Sequence, residues 1–113
     1  MSSRDWTFRI QDILTSIEKI ERYIKEMTLS EFKKDDLVMD AVVRNFEIIG
    51  EASKLIPANI RNKYPDVPWS EMAGIRNILI HEYFGVDTKI LWSTAKKDLS
   101  SLKKQLLQIP LEK

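Results

Sequence analysis

A long apolar stripe near the start of the chain limits the possible folds more than any other feature. Its members follow one another in alternating steps of four and three residues, which predicts a first helix from about Arg4 to Met27. They are Trp6, Ile10, Ile13, Ile17, Ile20, Ile24 and Met27. This spacing is that of one face of an α-helix. A stripe this long and narrow serves the core of a helical bundle or a contact between subunits, and the two uses are compatible.

The same periodicity predicts three further helices. The second covers about Asp36 to Ile56, the third runs from Pro68 to a stop at Gly85, and the last covers about Thr88 to Gln108. Pro68 suits a first helical turn, and Asp87 can cap the last helix.

The segments between the helices differ in character. Leu29 to Asp36 is predicted to be a polar connection, with Ser30 and Asp35 as cap candidates. Pro57 to Pro68 is predicted to be irregular, with one short helical turn that ends at Tyr64-Pro65. We therefore predict one all-α domain over residues 1–113, an antiparallel helical bundle of four long helices plus a short helical turn.

Composition narrows the classes of function. The 113 residues carry a net charge of +1, so RNA binding would need a local basic patch rather than an overall basic surface. The chain has no cysteine, which excludes disulfides and thiolate metal sites and fits a reducing cytoplasm. Its start has no apolar signal core, and no window is apolar enough to span a membrane. We therefore expect a soluble cytoplasmic protein without a membrane segment.

Four residues of the third helix fall outside its apolar stripe: Arg76, Asn77, His81 and Tyr83. At about 100° per residue, Arg76 and Tyr83 share a face, as do Asn77 and His81. Arg76 and His81 lie about 140° apart, so a site that uses both needs a partner helix or a bent helix end. His81 is the one histidine of the chain, and it is the obvious group for acid–base chemistry near neutral pH.

Two blocks of the sequence resemble the HepT family, small toxins with a HEPN domain that are paired with MNT nucleotidyltransferase antitoxins. The first block is the pattern Arg-x4-His-x-Tyr at Arg76, His81 and Tyr83, with its flanking residues from Pro65 to Asp87. The second is Arg44-Asn45-x-Glu47-x-x-Gly50-Glu51-Ala52. An isolated Arg-x4-His occurs often by chance, whereas the two blocks together span nearly the whole chain and are specific.

The resemblance implies a HEPN-like fold and a toxin ribonuclease of a type VII-like HEPN/MNT toxin–antitoxin system. It implies cleavage of RNA by attack of the 2′-hydroxyl, without a metal or a cofactor, in a cleft between two protomers of a homodimer. Arg76 and His81 would be catalytic. Four further residues would support them: Asn77, Arg44, Asn45 and Glu51.

The resemblance also implies a covalent control of the enzyme. In this family the tyrosine that corresponds to Tyr83 receives AMP from the MNT antitoxin. The predicted partners are thus a second copy of the chain, a cognate MNT-type nucleotidyltransferase and RNA.

Simpler interpretations stand beside these. A single arginine is often a surface cation, a histidine near a helix end often stabilises the helix dipole, and Tyr83 is compatible with simple packing. The basic loop around Arg61 and Lys63 is either a small RNA-binding patch or a packed connection. For the whole chain, the alternatives are a catalytically inert HEPN module that binds a nucleotidyltransferase or nucleotide, and an inert dimeric helical protein.

Overall fold

Seven α-helices and one π-helical segment make up the described part of the chain. The computed structural model describes residues 5–82 and 88–111, and it describes residues 76–82 by their backbone alone. The helices are α1 (Trp6–Ile24), α2 (Leu29–Lys34), α3 (Asp36–Lys54), α4 (Ala58–Lys63), α5 (Trp69–Glu82), α6 (Thr88–Ser93) and α7 (Leu99–Leu107). The π segment, Thr94–Asp98, joins α6 to α7.

Helix α1 confirms the apolar stripe. All five of its isoleucines are buried, and Trp6 packs at the edge of the core. Its start is set by Asp5, whose Oδ1 accepts a hydrogen bond from the Thr7 backbone N–H at 3.2 Å. The helix ends at Ile24, earlier than the predicted Met27. The stripe therefore serves the core of this chain.

The prediction of a plain polar connection at Leu29 to Asp36 is wrong, because most of that segment is helix α2. Thr28 and Glu31 form a capping box, in which each side chain bonds the backbone N–H of the other at 3.1 and 2.8 Å. Phe32 buries its ring in the core. Asp35 caps α3 as predicted, since its Oδ1 accepts from the Val38 N–H at 3.0 Å.

From the end of α3 to the start of α5, the bounds of the helices agree closely with the prediction. Helix α3 ends at Lys54 rather than Ile56, and α4 is the predicted short turn, with Pro57 immediately before it. Pro68 lies just before α5, where its carbonyl accepts the Met72 N–H at 3.0 Å. The predicted caps Gly85 and Asp87 lie outside the described residues.

The last predicted helix is interrupted by the π segment. Thr94 contributes a hydroxyl that bonds the Ile90 carbonyl at 2.9 Å, one turn earlier, beside the wider turn. Helices α6 and α7 and the segment between them still supply one buried stripe: Leu91, Ala95, Leu99, Leu102 and Leu106. Taken as one interrupted helix, they complete four long elements, so the all-α bundle is confirmed with two short helices instead of one.

Helix α3 lies at the centre of this bundle. It packs along α1 on one side and along α5 on the other. The connections to both neighbours, residues 25–35 and 55–68, each contain a short helix, and the three long helices form the predicted antiparallel bundle. Helix α7 also runs antiparallel to α1, because Lys103 contacts Glu18 and Glu21 while Lys96 bonds the Lys25 carbonyl.

Candidate active site

The start of helix α5 is fixed by side-chain hydrogen bonds from two directions. Trp69 is buried, and its indole N–H donates to the Tyr64 carbonyl at 3.0 Å. Gln105 of α7 donates its amide N–H to the Asp66 carbonyl at 2.8 Å. The loop that leads into α5 is therefore tied both to the helix itself and to α7. These bonds fix the direction of the helix that carries Arg76 and His81.

Helix α5 packs against α3 through apolar side chains of the two helices. Phe46 and Ile49 of α3 line one groove with Met72 and Ile75 of α5. Because the helices are antiparallel, their residue numbers run in opposite directions along this contact. Asn45 directly precedes Phe46 in α3, and Arg76 directly follows Ile75 in α5, so both positions adjoin residues that line this groove.

Two of the predicted supporting residues, Arg44 and Asn45, come from the part of α3 next to Phe46, which lines the groove between α3 and α5. Arg44 is exposed, so its charge faces solvent. Asn45 is buried, and its amide N–H donates to the Ala41 carbonyl at 2.9 Å, one turn back in the same helix. That bond satisfies part of the buried amide and holds the orientation of its side chain.

Glu51 is placed differently from Arg44 and Asn45. It is exposed and lies seven residues beyond Arg44, about 10 Å along α3. Glu51 follows Ile49, the second α3 residue that lines the groove, by two positions.

Arg76, Asn77 and His81 belong to the helical backbone of α5, which continues to Glu82. The helical spacing between Arg76 and His81 therefore applies, and the two positions are about 140° apart around the axis. The side chains of these three residues and all of Tyr83 lie outside the described part of the structure. Their catalytic and modification roles remain predictions.

Gly74 lies in the middle of α5, where glycine is less favourable than alanine by about 1 kcal/mol. Apart from its chain neighbours and the adjoining backbone of its own helix, no described atom lies within 4 Å of a Cβ atom built on Gly74. No contact among the described residues therefore requires a glycine there, although it lies only two residues before Arg76.

A groove of approximately 460 Å³ runs along the flank of α5, between α3 and the π segment with α7. Among its described lining residues, the charged ones are Glu71 and Asp98, both acidic. Carboxylates repel RNA phosphates, so this flank is unfavourable for a nucleic-acid strand.

The described residues hold no group of three or more histidine, cysteine or acidic side chains placed to bind a metal ion. No helix within the described ranges is long and apolar enough to cross a membrane.

Comparison with known proteins identifies the family. A model of the family described as "Ribonuclease HepT-like" matches residues 13–109. The chain belongs to the HepT-like ribonuclease family. This confirms the predicted family and enzyme class, and the match covers α3, α5 and α7 completely and more than half of α1.

Relatives of this HepT-like chain are also named as ribonucleases. A protein of Methanocaldococcus jannaschii named as an RNase is 44% identical over 106 residues, which are 94% of this chain and 97% of that protein. A protein of Thermococcus cleftensis named as ribonuclease HepT is 48% identical over 94 residues, or 83% and 86% of the two chains. No solved structure matches the chain.

A third relative places the HepT-like unit within a longer chain. It comes from Methanocaldococcus jannaschii, and its name joins a gamma-glutamylcyclotransferase to an RNase. The two sequences are 45% identical over 106 residues, which are 94% of this chain but 48% of that protein.

Proposed function

We propose that this chain is an endoribonuclease and the toxin of a type VII-like HEPN/MNT toxin–antitoxin system, acting on RNA in the cytoplasm. One observation carries the proposal: a HepT-like chain has Arg76 and His81 on the backbone of helix α5, and it has Arg44 and Asn45 on α3, the helix that packs against α5. An inert binding module would have no need for this combination of residues.

The proposed reaction uses the substrate's own 2′-hydroxyl. Its oxygen attacks the adjacent phosphorus, the bond to the 5′-oxygen breaks, and a 2′,3′-cyclic phosphate forms. One group removes the proton of the 2′-hydroxyl, and another protonates the leaving 5′-oxygen. Histidine, with an ordinary pKa of about 6.5, can do either at cellular pH. Arginine stays charged and binds two phosphate oxygens with its planar fork, so Arg76 would stabilise the developing negative charge.

The need for two proton-transfer groups favours a dimer. One chain supplies a single histidine, whereas two chains with facing α5 helices supply two. Gly74 supports this arrangement, because a residue without a Cβ allows close helix contact, and no atom of another described element lies within 4 Å of a Cβ built there. We propose that α5 of a second copy approaches there, near the two-fold axis.

A bulky substitution at Gly74 is expected to prevent dimer formation while the chain keeps its fold. Gly74→Leu adds a side chain where the monomer has room, so helix content should be retained while light scattering at micromolar concentration shows a monomer. Gly74→Ala is the matched control with a smaller side chain, and it should raise helix propensity by about 1 kcal/mol. A wild-type monomer, or a Gly74→Leu variant as dimeric as wild type, would refute the facing-helix dimer.

Metal independence gives the direct test of the proposed chemistry. Purified chain and end-labelled RNA are incubated with and without EDTA, and the new ends are identified by mass spectrometry. We expect equal cleavage rates in both samples and 2′,3′-cyclic phosphate ends. Activity that EDTA abolishes would show that the mechanism is wrong, and no cleavage of any RNA would favour the inert-module alternative.

We also propose that a cognate MNT-type nucleotidyltransferase inactivates the enzyme by attaching AMP to Tyr83. The Tyr83 phenolic oxygen would attack the α-phosphorus of ATP, pyrophosphate would leave, and the phenolic proton would pass to solvent. The attached AMP adds a negative charge and a bulky nucleoside close to the residue that would bind RNA phosphate. Both effects oppose substrate binding.

A further inference from the structure

The segment between α3 and α5 has an unusual charge pattern. Residues 52–65 form the longest stretch of the chain without aspartate or glutamate, 14 residues in all. They include three cations, Lys54, Arg61 and Lys63. In a chain with 18 basic and 17 acidic residues, this is a local excess of positive charge rather than a reflection of overall composition.

The structure leaves these three cations available to a ligand. All three are exposed, Lys54 in the last turn of α3 and the other two on α4. Within the described ranges, none of them forms an ion pair with a carboxylate. Lys103, by contrast, lies 3.5 Å from a Glu18 oxygen and 3.6 Å from a Glu21 oxygen.

The backbone beneath these cations is held in place. Arg61 donates its Nε–H to the Ile56 carbonyl at 3.2 Å, which fixes the base of the guanidinium and leaves its other N–H groups for a ligand. Tyr64 is half-buried, its carbonyl accepts the Trp69 indole N–H, and Lys63 lies 5.9 Å from the centre of its ring. An ordered backbone reduces the entropy lost when a ligand binds.

We propose that Lys54, Arg61 and Lys63, together with the exposed amide side chains of Asn59 and Asn62, form a surface that binds the phosphate backbone of RNA outside the cleaved bond. We call this set the α4 surface. The proposal rests on the proposed ribonuclease function. Cations placed beside amides and an aromatic ring match the chemistry of single-stranded RNA.

Its position fits a strand that also reaches the candidate active site. Helix α4 precedes the start of α5, and Arg76 lies about 10 Å further along that helix. The α4 surface would therefore bind phosphates a few nucleotides from the scissile one. The acidic groove lined by Glu71 and Asp98 disfavours a path along the flank of α5 that this groove occupies.

Other clusters of lysines lie next to acids. Lys33 and Lys34 are followed directly by Asp35 and Asp36, and Lys97 by Asp98. Lys103, in a second stretch without acids, lies beside Glu18 and Glu21 of α1. The cations of the α4 surface have no acid between them in the sequence and, within the described ranges, no ion pair with one.

The test measures RNA affinity in a His81→Ala background, so that binding is observed without cleavage. Lys54→Gln/Lys63→Gln is compared with Lys19→Gln/Lys97→Gln, which removes two exposed lysines elsewhere and lowers the net charge equally. Arg61 is kept because it also bonds the backbone. Fluorescence anisotropy with a labelled single-stranded RNA gives Kd at several salt concentrations.

We expect Lys54→Gln/Lys63→Gln to weaken RNA binding roughly fivefold to tenfold. The slope of log K against log salt concentration should become shallower by about 1.4, because two phosphate contacts to a single strand are lost. Lys54→Arg/Lys63→Arg keeps the charges and should bind like the parent. Affinity equal to that of the Lys19→Gln/Lys97→Gln control would overturn the α4 surface, as would weak binding by the arginine variant.

Cleavage rates distinguish failure of this surface from failure of the proposed function. If the wild-type chain cleaves RNA and Lys54→Gln/Lys63→Gln cleaves and binds like the control, the surface is wrong and the ribonuclease stands. If the wild-type chain binds RNA through these lysines but never cleaves it, the ribonuclease is wrong and the surface stands.

Discussion

Replacing Arg76 with alanine is expected to lower the RNA cleavage rate by roughly a hundred- to a thousand-fold. The loss of one preorganised charge that stabilises a transition state has an effect of this size. Arg76→Lys should recover only part of the rate, because lysine keeps the charge but lacks the planar pair of donors that matches two phosphate oxygens. The measurement is the initial rate of cleavage of a labelled RNA at saturating enzyme.

Arg22→Ala is the control for this substitution. Arg22 is an exposed arginine on α1 that lies over the ring of Tyr23, 5.6 Å from its centre. Its loss should leave the cleavage rate within about twofold of wild type, since surface substitutions usually change little. Circular dichroism checks that both alanine variants keep their helices. Equal cleavage rates for Arg76→Ala and Arg22→Ala would show that Arg76 is not part of the active site.

Transfer of AMP to Tyr83 is expected to block cleavage almost completely. On a continued helix Tyr83 shares a face with Arg76, so the new phosphodiester would compete with substrate for the same guanidinium. The adenosine would also occupy space in the cleft. After incubation with the cognate nucleotidyltransferase and ATP, mass spectrometry should find one modified residue, Tyr83, and the cleavage rate should fall in proportion to its modification.

Tyr83→Phe separates covalent control from simple binding of the antitoxin. The variant keeps the ring and lacks the acceptor oxygen, so it should retain cleavage and resist inactivation by ATP with the nucleotidyltransferase. Tyr23→Phe and Tyr64→Phe serve as controls, because the other two tyrosines of the chain are half-buried. AMP found on either of them, or full inactivation of Tyr83→Phe in an ATP-dependent reaction, would exclude Tyr83 as the acceptor.

The long helices could be predicted from the sequence because each repeats one class of side chain at helical spacing. The isoleucines of α1 are the clearest case, since all of them lie in the core. Helix α2 was missed because six residues are too few to show a period. Its signal was local instead, the pairing of Thr28 with Glu31 three residues later.

Other features depend on contacts that a sequence pattern does not contain. The π segment at Thr94–Asp98 lies within an apolar spacing that fits an ordinary helix. The bond from Gln105 to the Asp66 carbonyl joins residues 39 positions apart, so no local pattern predicts it. Gly74 appeared unremarkable until the space around it was known.

The candidate site was predicted in part by residue type and in part by resemblance. Helical spacing places Arg76 and His81 on α5. The packing of α3 against α5 brings the helix with Arg44, Asn45 and Glu51 next to the helix with Arg76. This packing joins segments far apart in the sequence, so helical spacing alone does not predict it.

The central claim is that this chain cleaves RNA with its own histidine. Wild type and His81→Ala, purified side by side, are incubated with the same labelled RNA in EDTA under single-turnover conditions. Removal of a general acid or base typically costs a factor of about 10² to 10⁴. We expect wild type to cleave the RNA and His81→Ala to cleave it at about 1% of the wild-type rate or less, with unchanged helix content. Equal cleavage rates in the two samples would contradict it.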